Sequence, residues 1–479
     1  MDKIDTRRPH PLYQVTASRQ LEASLAAGLP PHTLMQRAGL ATARLALALA
    51  PHAQTFWLAC GPGNNGGDGL EAAMHLQQWG KTALVSWLGT PQDAPADARA
   101  SHARAQAAGV RFLDAPPAEC DCCIDALLGI GATRPAEGRL ADWIGQINAL
   151  SVPVLAVDLP SGLNADTGAT IGLCVRASHT LSLLTLKPGL YTAHGRDQAG
   201  QVWYESLGAD PLDAPPQARL SGTPAPILRP HASHKGSYGD LAIIGGAPSM
   251  TGAALLAASA ALHHGAGRVF VGLLDGGSMG VDPLQPELMF RSPESLDPAQ
   301  LTVVSGCGGG SAIAAQLPRL LSTAPRLVLD ADALNAIASD SQLATLLRAR
   351  AARQRQTVLT PHPLEAARLL GSTTAEVQHE RLATAQQLAQ AFGCTVVLKG
   401  SGTVIAAPGI TPVINPTGNA LLATAGTGDV LAGMIGARLA NGQPAFQAAC
   451  EAVWLHGRAA DTWPHDQALT AGALAQAGC

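Results

Sequence analysis

The sequence predicts two consecutive α/β domains, each built on a largely parallel sheet with helices on both faces, and three observations support this. Short apolar runs of strand length alternate with helical patterns along almost the whole chain, the pattern expected of βα units. A chain of 479 residues is too long for one core and suits two domains. The alternation pauses once, in the proline- and small-residue-rich stretch 212–226, which reads as a linker. The expected boundaries are a first domain over 1–215, a linker over 216–226 and a second domain over 227–479.

The elements follow in order. Apolar residues at three- and four-residue spacing predict helices over 17–27 and 33–49, separated by Pro30-Pro31. Strands are expected over 55–60, 82–88, 122–127, 154–157 and 180–184, with helices over 68–79, 97–108 and 140–150 between them. After the linker, strands are expected over 241–244, 269–273, 302–305, 327–329, 358–360, 395–398 and 403–406. Helices over 253–264, 364–370, 376–391 and 430–439 complete the second domain. The two halves share an architecture but not a motif order, so they do not read as a duplication.

Composition narrows the class. Hydrophobic residues make up 47% and charged residues 14%, so both domains should be well buried. A net charge of −4 shows no basic excess and argues against nucleic acid as a partner. The odd count of nine cysteines suggests no disulfide framework. The Cys120–Cys123 spacing lacks a second Cys or His pair for zinc, so these thiols read as small strand hydrophobes. The N-terminus has no signal-peptide core and no apolar run approaches membrane-spanning length, so a reducing cytoplasm is expected.

The richest stretch is Gly61-Pro-Gly-Asn-Asn-Gly-Gly-Asp-Gly69, placed between a strand and a helix. Glycines there let the backbone turn tightly and aim N–H groups at an anion. The GxGxxG spacing alone is a weak dinucleotide signal, and Asn64, Asn65 and Asp68 exceed it, which suggests a cation or a ribose as well. Three more segments fall at carboxyl ends of predicted strands: Asp125-Ala-Leu-Leu-Gly-Ile-Gly-Ala-Thr-Arg134, Val157-Asp-Leu-Pro-Ser-Gly-Leu-Asn164 and Lys187-Pro-Gly-Leu190.

Taken in order, these segments resemble the NAD(P)H-hydrate epimerase domain, over about the first 210 residues, within a Rossmann-like fold. The resemblance implies that the damaged nucleotide is bound by Asn64, Asn65, Gly66, Gly67 and Asp68, by Gly129, Ile130, Gly131, Ala132, Thr133, Arg134 and Pro135, and by Asp158. It also implies a potassium ion held by Asn65, Asp125 and Ser161, and oxygen donors of this kind suit that ion. The hydrate is a hemiaminal, whose inversion requires the hydroxyl to leave or the ring to open, then re-addition on the other face. A carboxylate that gives and takes a proton serves this, and Asp158 is the expected one. Asp68 reads as a nucleotide contact rather than the catalytic acid.

The second half carries Asn415-Pro-Thr-Gly-Asn-Ala-Leu-Leu-Ala-Thr-Ala-Gly-Thr-Gly-Asp-Val-Leu-Ala-Gly433. Its Gly-Thr-Gly-Asp portion opens a helix, where backbone N–H groups and the helix field favour a transferring phosphate. Asp429 could take a proton from a hydroxyl, or merely cap the helix. This loop resembles the ribokinase-like superfamily. With His234-Lys-Gly-Ser-Tyr-Gly-Asp240, Ile243-Ile-Gly-Gly246, Thr251-Gly-Ala-Ala-Leu-Leu256, Leu359-Thr-Pro-His-Pro-Leu-Glu365 and Leu398-Lys-Gly-Ser-Gly-Thr-Val404, it is similar to the NAD(P)H-hydrate dehydratase family. The resemblance implies hydrate contacts at Ala253, Gly308, His362 and Asp429, with Asp429 catalytic. It implies nucleotide contacts at Lys399, Gly400, Ser401, Gly402, Thr403 and Gly428, with ADP, accompanied by magnesium, as the expected co-substrate. His362, between two prolines, suits a fixed contact, whereas His263-His264 reads as a helix C-terminal cap.

One departure stands out: where the family usually has Gly-Pro-Gly-Leu-Gly, this chain reads Gly306-Cys-Gly-Gly-Gly310. The expected activity is epimerisation of the R and S hydrates of NADH or NADPH (NADHX and NADPHX) and ADP-dependent dehydration of the S form, by a homo-oligomer. Two alternatives remain at this point: a small-metabolite kinase with an accessory N-terminal domain, or a first domain that serves only as a binding or scaffold module. The intact set Asn65, Asp125, Asp158 and Ser161 weighs against the scaffold.

Overall fold

A computed structural model describes residues 1–131, 134–170, 172–209, 215–226 and 229–477. Ala132 and Thr133 of the expected epimerase loop lie outside the described residues, as do positions 212–214 of the linker stretch, 227–228 at the start of the second domain and Cys479. The chain divides into two compact units: Met1–Asp5 with His10–Ala218, and Thr6–Pro9 with Arg219–Cys479.

In the first unit the sheet runs Asp2–Lys3, Gln201–Glu205, His179–Leu183, Val154–Val157, Cys122–Ala126, Thr55–Cys60, Thr82–Trp87, Arg111–Leu113. All neighbours are parallel except Asp2–Lys3, which is antiparallel to Gln201–Glu205. From Thr55–Cys60 the chain moves outward through Thr82–Trp87 to Arg111–Leu113, then returns to the other side as Cys122–Ala126. That reversal opens a crevice beyond the carboxyl ends of Thr55–Cys60 and Cys122–Ala126, where α/β sheets bind ligands. Residues on both strands are fully buried, as continuous apolar runs covered on two faces require. Cys122 and Cys123 belong to this buried strand.

The second unit repeats the device. Its strands run Met289–Phe290, Arg268–Leu273, Asp240–Gly245, Thr302–Ser305, Arg326–Leu329, Gln356–Leu359, Thr395–Leu398, Val404–Ala407, Ile410–Ile414, Ala218–Leu220. The reversal falls between Asp240–Gly245 and Thr302–Ser305, and the pairs joining Thr395–Leu398, Val404–Ala407 and Ile410–Ile414 are antiparallel. The helix Thr427–Ala440 is apolar on every side and packs against Thr251–His263. A Cβ on Gly433 would collide with the Ala257 carbonyl, so the glycine sets how closely the two helices approach.

Several expectations are corrected. The helix after the first strand spans Asn64–Gln78 rather than starting at residue 68, so most of the asparagine-rich loop is its first turn. Gly66 packs on Gly61 and Gly67 on Met35, and this close contact lets a glycine-rich run remain helical despite its low propensity. The stretch read as a linker contains the strand Ala218–Leu220, with Ala218 and Leu220 buried against the sheet edge. The helix expected over 376–391 is two, Thr374–His379 and Arg381–Phe392. Strands Arg111–Leu113, Gln201–Glu205 and Ile410–Ile414 had no clear sequence signal.

Candidate active sites

The crevice of the first unit widens into a cavity of about 620 Å³. Its lining includes Asn64, Asn65 and Asp68 from the first turns of Asn64–Gln78, Gly129, Ile130 and Gly131 from the loop after Cys122–Ala126, and Asp158 and Lys187. Thus all four predicted segments meet on one surface. Gly66 and Gly67 are buried beneath it, and Arg134 and Pro135 are exposed; none of the four is among the lining residues.

Asp158 follows Val154–Val157 directly and sits in the left-handed region at φ 68°, a strained conformation for a residue other than glycine. Two anchors hold it there: its N–H donates to the Leu181 carbonyl at 2.8 Å, and its Oδ1 accepts from the Leu183 N–H at 3.2 Å. The same Oδ1 is ion-paired with the Lys187 ammonium. Lys187 is only 1% exposed and also donates to the Leu183 carbonyl at 2.7 Å and Ser182 Oγ at 3.3 Å. Its three protons are therefore fully used, and the lysine fixes the carboxylate. The sequence places the Lys187 segment beyond a strand end but assigns the lysine no role of its own.

Behind the cavity wall, Asp125 is fully buried and accepts from the Ser161 N–H at 2.8 Å, Ser161 Oγ at 2.6 Å and the Leu127 N–H at 3.2 Å. Burial pushes its carboxyl up to about 6, against these hydrogen bonds. Ser161 Oγ in turn accepts from the Leu128 N–H at 2.8 Å, and Asn65 faces Gly129. The Asn65 amide nitrogen is buried without a hydrogen-bond partner, so no protein contact fixes which way that amide points.

The helix Val15–Ala27 adds Ser18, Arg19 and Glu22 to the cavity, residues to which the sequence assigns no role. Burial and the nearby Asp158 raise the Glu22 carboxyl. Asp68 is held well above the usual carboxylate range by burial, then by Asp158, Glu22, Glu71 and Asp97.

In the second unit the functional groups gather at the carboxyl edge of the sheet. Asp330 follows Arg326–Leu329, Thr360 and His362 follow Gln356–Leu359, and Lys399 follows Thr395–Leu398. Buried Asp330 accepts from Lys399 Nζ at 2.7 Å and from Thr360 Oγ1 at 2.6 Å. A Cβ on Gly306 would collide with the Asp330 carbonyl, so this glycine, at φ 112°, admits the strand end. Gly308 abuts Ala253 and Met250, which places two expected hydrate contacts side by side.

Asp429 is the third residue of Thr427–Ala440, with Gly426 at the N-cap, so the capping alternative does not apply. Ligand atoms of Asp429, Asp330 and Cys307 lie within 4.8 Å of one another. Burial pushes Asp429 up to about 6, assisted by Asp330 and opposed by the Cys307 thiol and Lys399. Gly428 lies against Lys399 Nζ. Burial works against the charge on Lys399, yet Asp330 and Glu365 hold the ammonium above its ordinary range.

His362 is partly engaged in structure: its Nδ1 accepts from the Leu364 and Glu365 N–H groups at 3.1 and 3.3 Å, capping Pro363–Leu370. Burial and Lys399 lower the proton affinity of the imidazole below its ordinary value. The turn after Lys399 places Gly400 at φ 131° and Gly402 at φ 60°, and Thr403 Oγ1 donates to the Gly400 carbonyl at 3.0 Å. Beneath it, buried Arg381 donates to the Leu398 and Lys399 carbonyls at 3.2 Å. Arg381, Asp330 and Glu365 had not been singled out; the apolar run ending in Asp330 carried the same strand-then-acid signal as Asp158.

Comparison with known proteins agrees with this division. A family model described as NAD(P)H-hydrate dehydratase matches residues 241–477, and one described as YjeF-related protein N-terminus matches residues 31–189. The chain is 36% identical to the bifunctional NAD(P)H-hydrate repair enzyme of Escherichia coli, over 96% of this chain and 91% of that one. It is 45% identical to the ADP-dependent (S)-NAD(P)H-hydrate dehydratase of Neisseria meningitidis, over 52% of this chain and 84% of that one. A solved ADP/ATP-dependent NAD(P)H-hydrate dehydratase from Bacillus subtilis, co-crystallised with ATP and Mg²⁺, is 31% identical over 52% of this chain and 90% of its own, with a TM-score of 0.44.

Proposed function

The chain belongs to the family of bifunctional NAD(P)H-hydrate repair enzymes, and from that premise we propose how its residues divide the work. The first unit epimerises the R and S hydrates of NADH and NADPH at the cavity holding Asp158. The second dehydrates the S form at Asp429, with a nucleoside phosphate as co-substrate. The observation that carries this reading is the meeting of Asn64, Asn65, Asp68, Gly129 and Asp158 on one cavity in the first unit.

In the epimerase, Asp158 moves the proton and Lys187 holds it in place. Gly129, Ile130 and Gly131 face the bound nucleotide across the cavity from Asn64 and Asp68. Potassium fits the wall behind: Asp125 brings a carboxylate, Ser161 a hydroxyl, and Asn65 a buried amide with no protein partner for its nitrogen. Such an ion would fix the loops rather than enter the chemistry. Potassium raising the melting temperature of wild type but not of Asp125→Asn is the expected sign of it.

In the dehydratase, Asp429 takes the proton of the hydrate hydroxyl as ADP transfers its terminal phosphate, leaving AMP. The C–O bond then breaks, phosphate leaves with the bonding pair as the ring nitrogen forms C=N⁺, and the departing phosphate takes a proton from the adjacent ring carbon, which restores the dihydropyridine. Lys399 and the turn through Gly400, Ser401, Gly402 and Thr403 hold the nucleotide phosphates, with Gly428 at the helix N-terminus. Magnesium supplies charge neutralisation on those phosphates. Ala253, Gly308 and His362 contact the hydrate. A homo-oligomer in the cytoplasm is part of this reading.

The test is a mixed R/S hydrate incubated with ADP or ATP while dihydronicotinamide absorbance returns. Full conversion by wild type, a plateau with only one epimer consumed for Asp158→Asn, and no conversion for Asp429→Asn are expected. Near-normal turnover by either variant would overturn its assignment, and a stable phosphorylated product would instead favour the kinase alternative.

A further inference from the structure

The first cavity gathers carboxyl groups whose surroundings differ sharply. Asp158 is paired with Lys187, Asp97 with His32, and Glu71 with Arg104, which donates to it at 2.7 and 2.9 Å. Asp68 lines the same cavity as Asp158, half-buried, and has no ion-pair partner among the described residues. The groups facing it come from every side: Arg19 and Glu22 on Val15–Ala27, Glu71 on its own helix, Asp97 on Ala96–Ala107, and Asp158 with Lys187. Two carboxyls in one cavity, one beside a cation and the other among anions, are the arrangement that separates a base from an acid.

We propose that Asp68 is the second catalytic group of the epimerase, the acid that works opposite the Asp158 carboxylate. This departs from its sequence reading as a nucleotide contact, and it rests on the assignment of the cavity and Asp158 made above. The Asp68 carboxyl gives its proton to the ring hydroxyl as the C–O bond breaks. The bonding pair leaves with oxygen as water, and the ring nitrogen lone pair forms the C=N⁺ bond. A water on the other face then adds to that carbon and loses its proton to Asp158. One proton has passed from Asp68 to Asp158, and proton exchange with solvent water resets both carboxyls before the next inversion in the same direction. The raised proton affinity of Asp68 agrees with its starting the cycle as the acid.

The experiment uses the full chain, isolated R hydrate and ¹⁸O-water. Wild type should incorporate solvent oxygen on each inversion and show a kcat profile that falls at high pH as Asp68 loses its proton. Asp68→Asn should lose on the order of 100-fold in kcat, keep KM within about threefold, and lack the high-pH limb. Asp68→Glu should restore part of the limb, and a melting temperature and circular dichroism spectrum matching wild type would show that each variant is folded. The proposal is overturned if Asp68→Asn raises only KM, if Glu22→Gln removes the limb in its place, or if wild type inverts without taking up ¹⁸O. Normal turnover by Asp158→Asn would instead overturn the underlying cavity assignment, whatever Asp68→Asn does.

Discussion

The two units place the same ion pair in different roles. Each has an aspartate directly after one parallel strand bonded to a lysine beyond the end of another: Asp158 with Lys187, four residues past His179–Leu183, and Asp330 with Lys399, directly after Thr395–Leu398. In the first unit the paired aspartate faces the cavity and is the group read as moving protons. In the second the paired aspartate anchors the lysine, and the neighbouring Asp429, pushed up to about 6, is the group read as the proton acceptor. A buried lysine after a strand therefore marks a site without naming its catalytic acid. The carboxyl outside the pair must also be examined.

The largest effects should separate the units. Asp429→Asn is expected to cut dehydration on the order of 10³-fold while epimerisation persists, and Asp158→Asn the converse. Assaying each step alone on both variants checks this, and loss of both steps in either variant would break the division of labour.

Breaking the ion pairs should come next and should be unequal. Lys187→Met strands a carboxylate beside a cation site only 1% exposed, and about 3–5 kcal/mol of stability should be lost. Lys399 is 18% exposed at its side chain, so water offsets part of the loss in Lys399→Met. Denaturant unfolding followed in both variants should rank Lys187 above Lys399. The opposite order would mean that Asp330, not Asp158, is the more dependent partner.

The pH responses differ in a way that stability can report. Burial lowers both His264 and His456 to about 4, and both lie in the second unit. A folded-state value below the unfolded one near 6.5 means that the unfolded chain binds the protons first. The two histidines should therefore contribute their full share of stability above about pH 6.5 and lose it as pH falls toward 4. Asp429 and Glu365, raised to about 6 and about 7, act in the opposite sense, so the histidine share is read as the difference between wild type and variant. Melting followed across that range, with His264→Gln flattening the slope, is the check.

How much of this was legible depended on locality. Strand runs such as Thr55–Cys60 and Thr302–Ser305 were read to the residue, because a buried parallel strand is a continuous apolar run bounded by turns. Asp158, Asp429 and Lys399 were legible because a polar residue or glycine turn follows such a run. The start of Asn64–Gln78 was misread because glycines predict a loop unless a neighbour such as Met35 packs on them, and that neighbour is remote in sequence. Glu22 was illegible for the same reason: nothing on its own helix indicates that one solvent-like face lines a cavity. Asp330, directly after Arg326–Leu329, was within reach and needed only the strand-then-charge rule applied evenly.

The smallest expected effect tests the departure at Cys307. A thiol stands where the family turn usually has proline, buried between Gly306 and Gly308 and close to Asp429. Burial raises Asp429, and the thiol opposes that rise. A carboxylate base works only when deprotonated, so dehydratase kcat/KM should climb through about pH 6 to a plateau. Removing the thiol in Cys307→Ala takes away one favourable contact of the charged form, and the rise should move to higher pH by a fraction of a unit. Cys307→Ser, with a hydroxyl donor, should move it back. A profile that keeps its midpoint while its height falls would mean that Cys307 only fills space in the turn, and that the two units do not both tune their acids through an immediate neighbour.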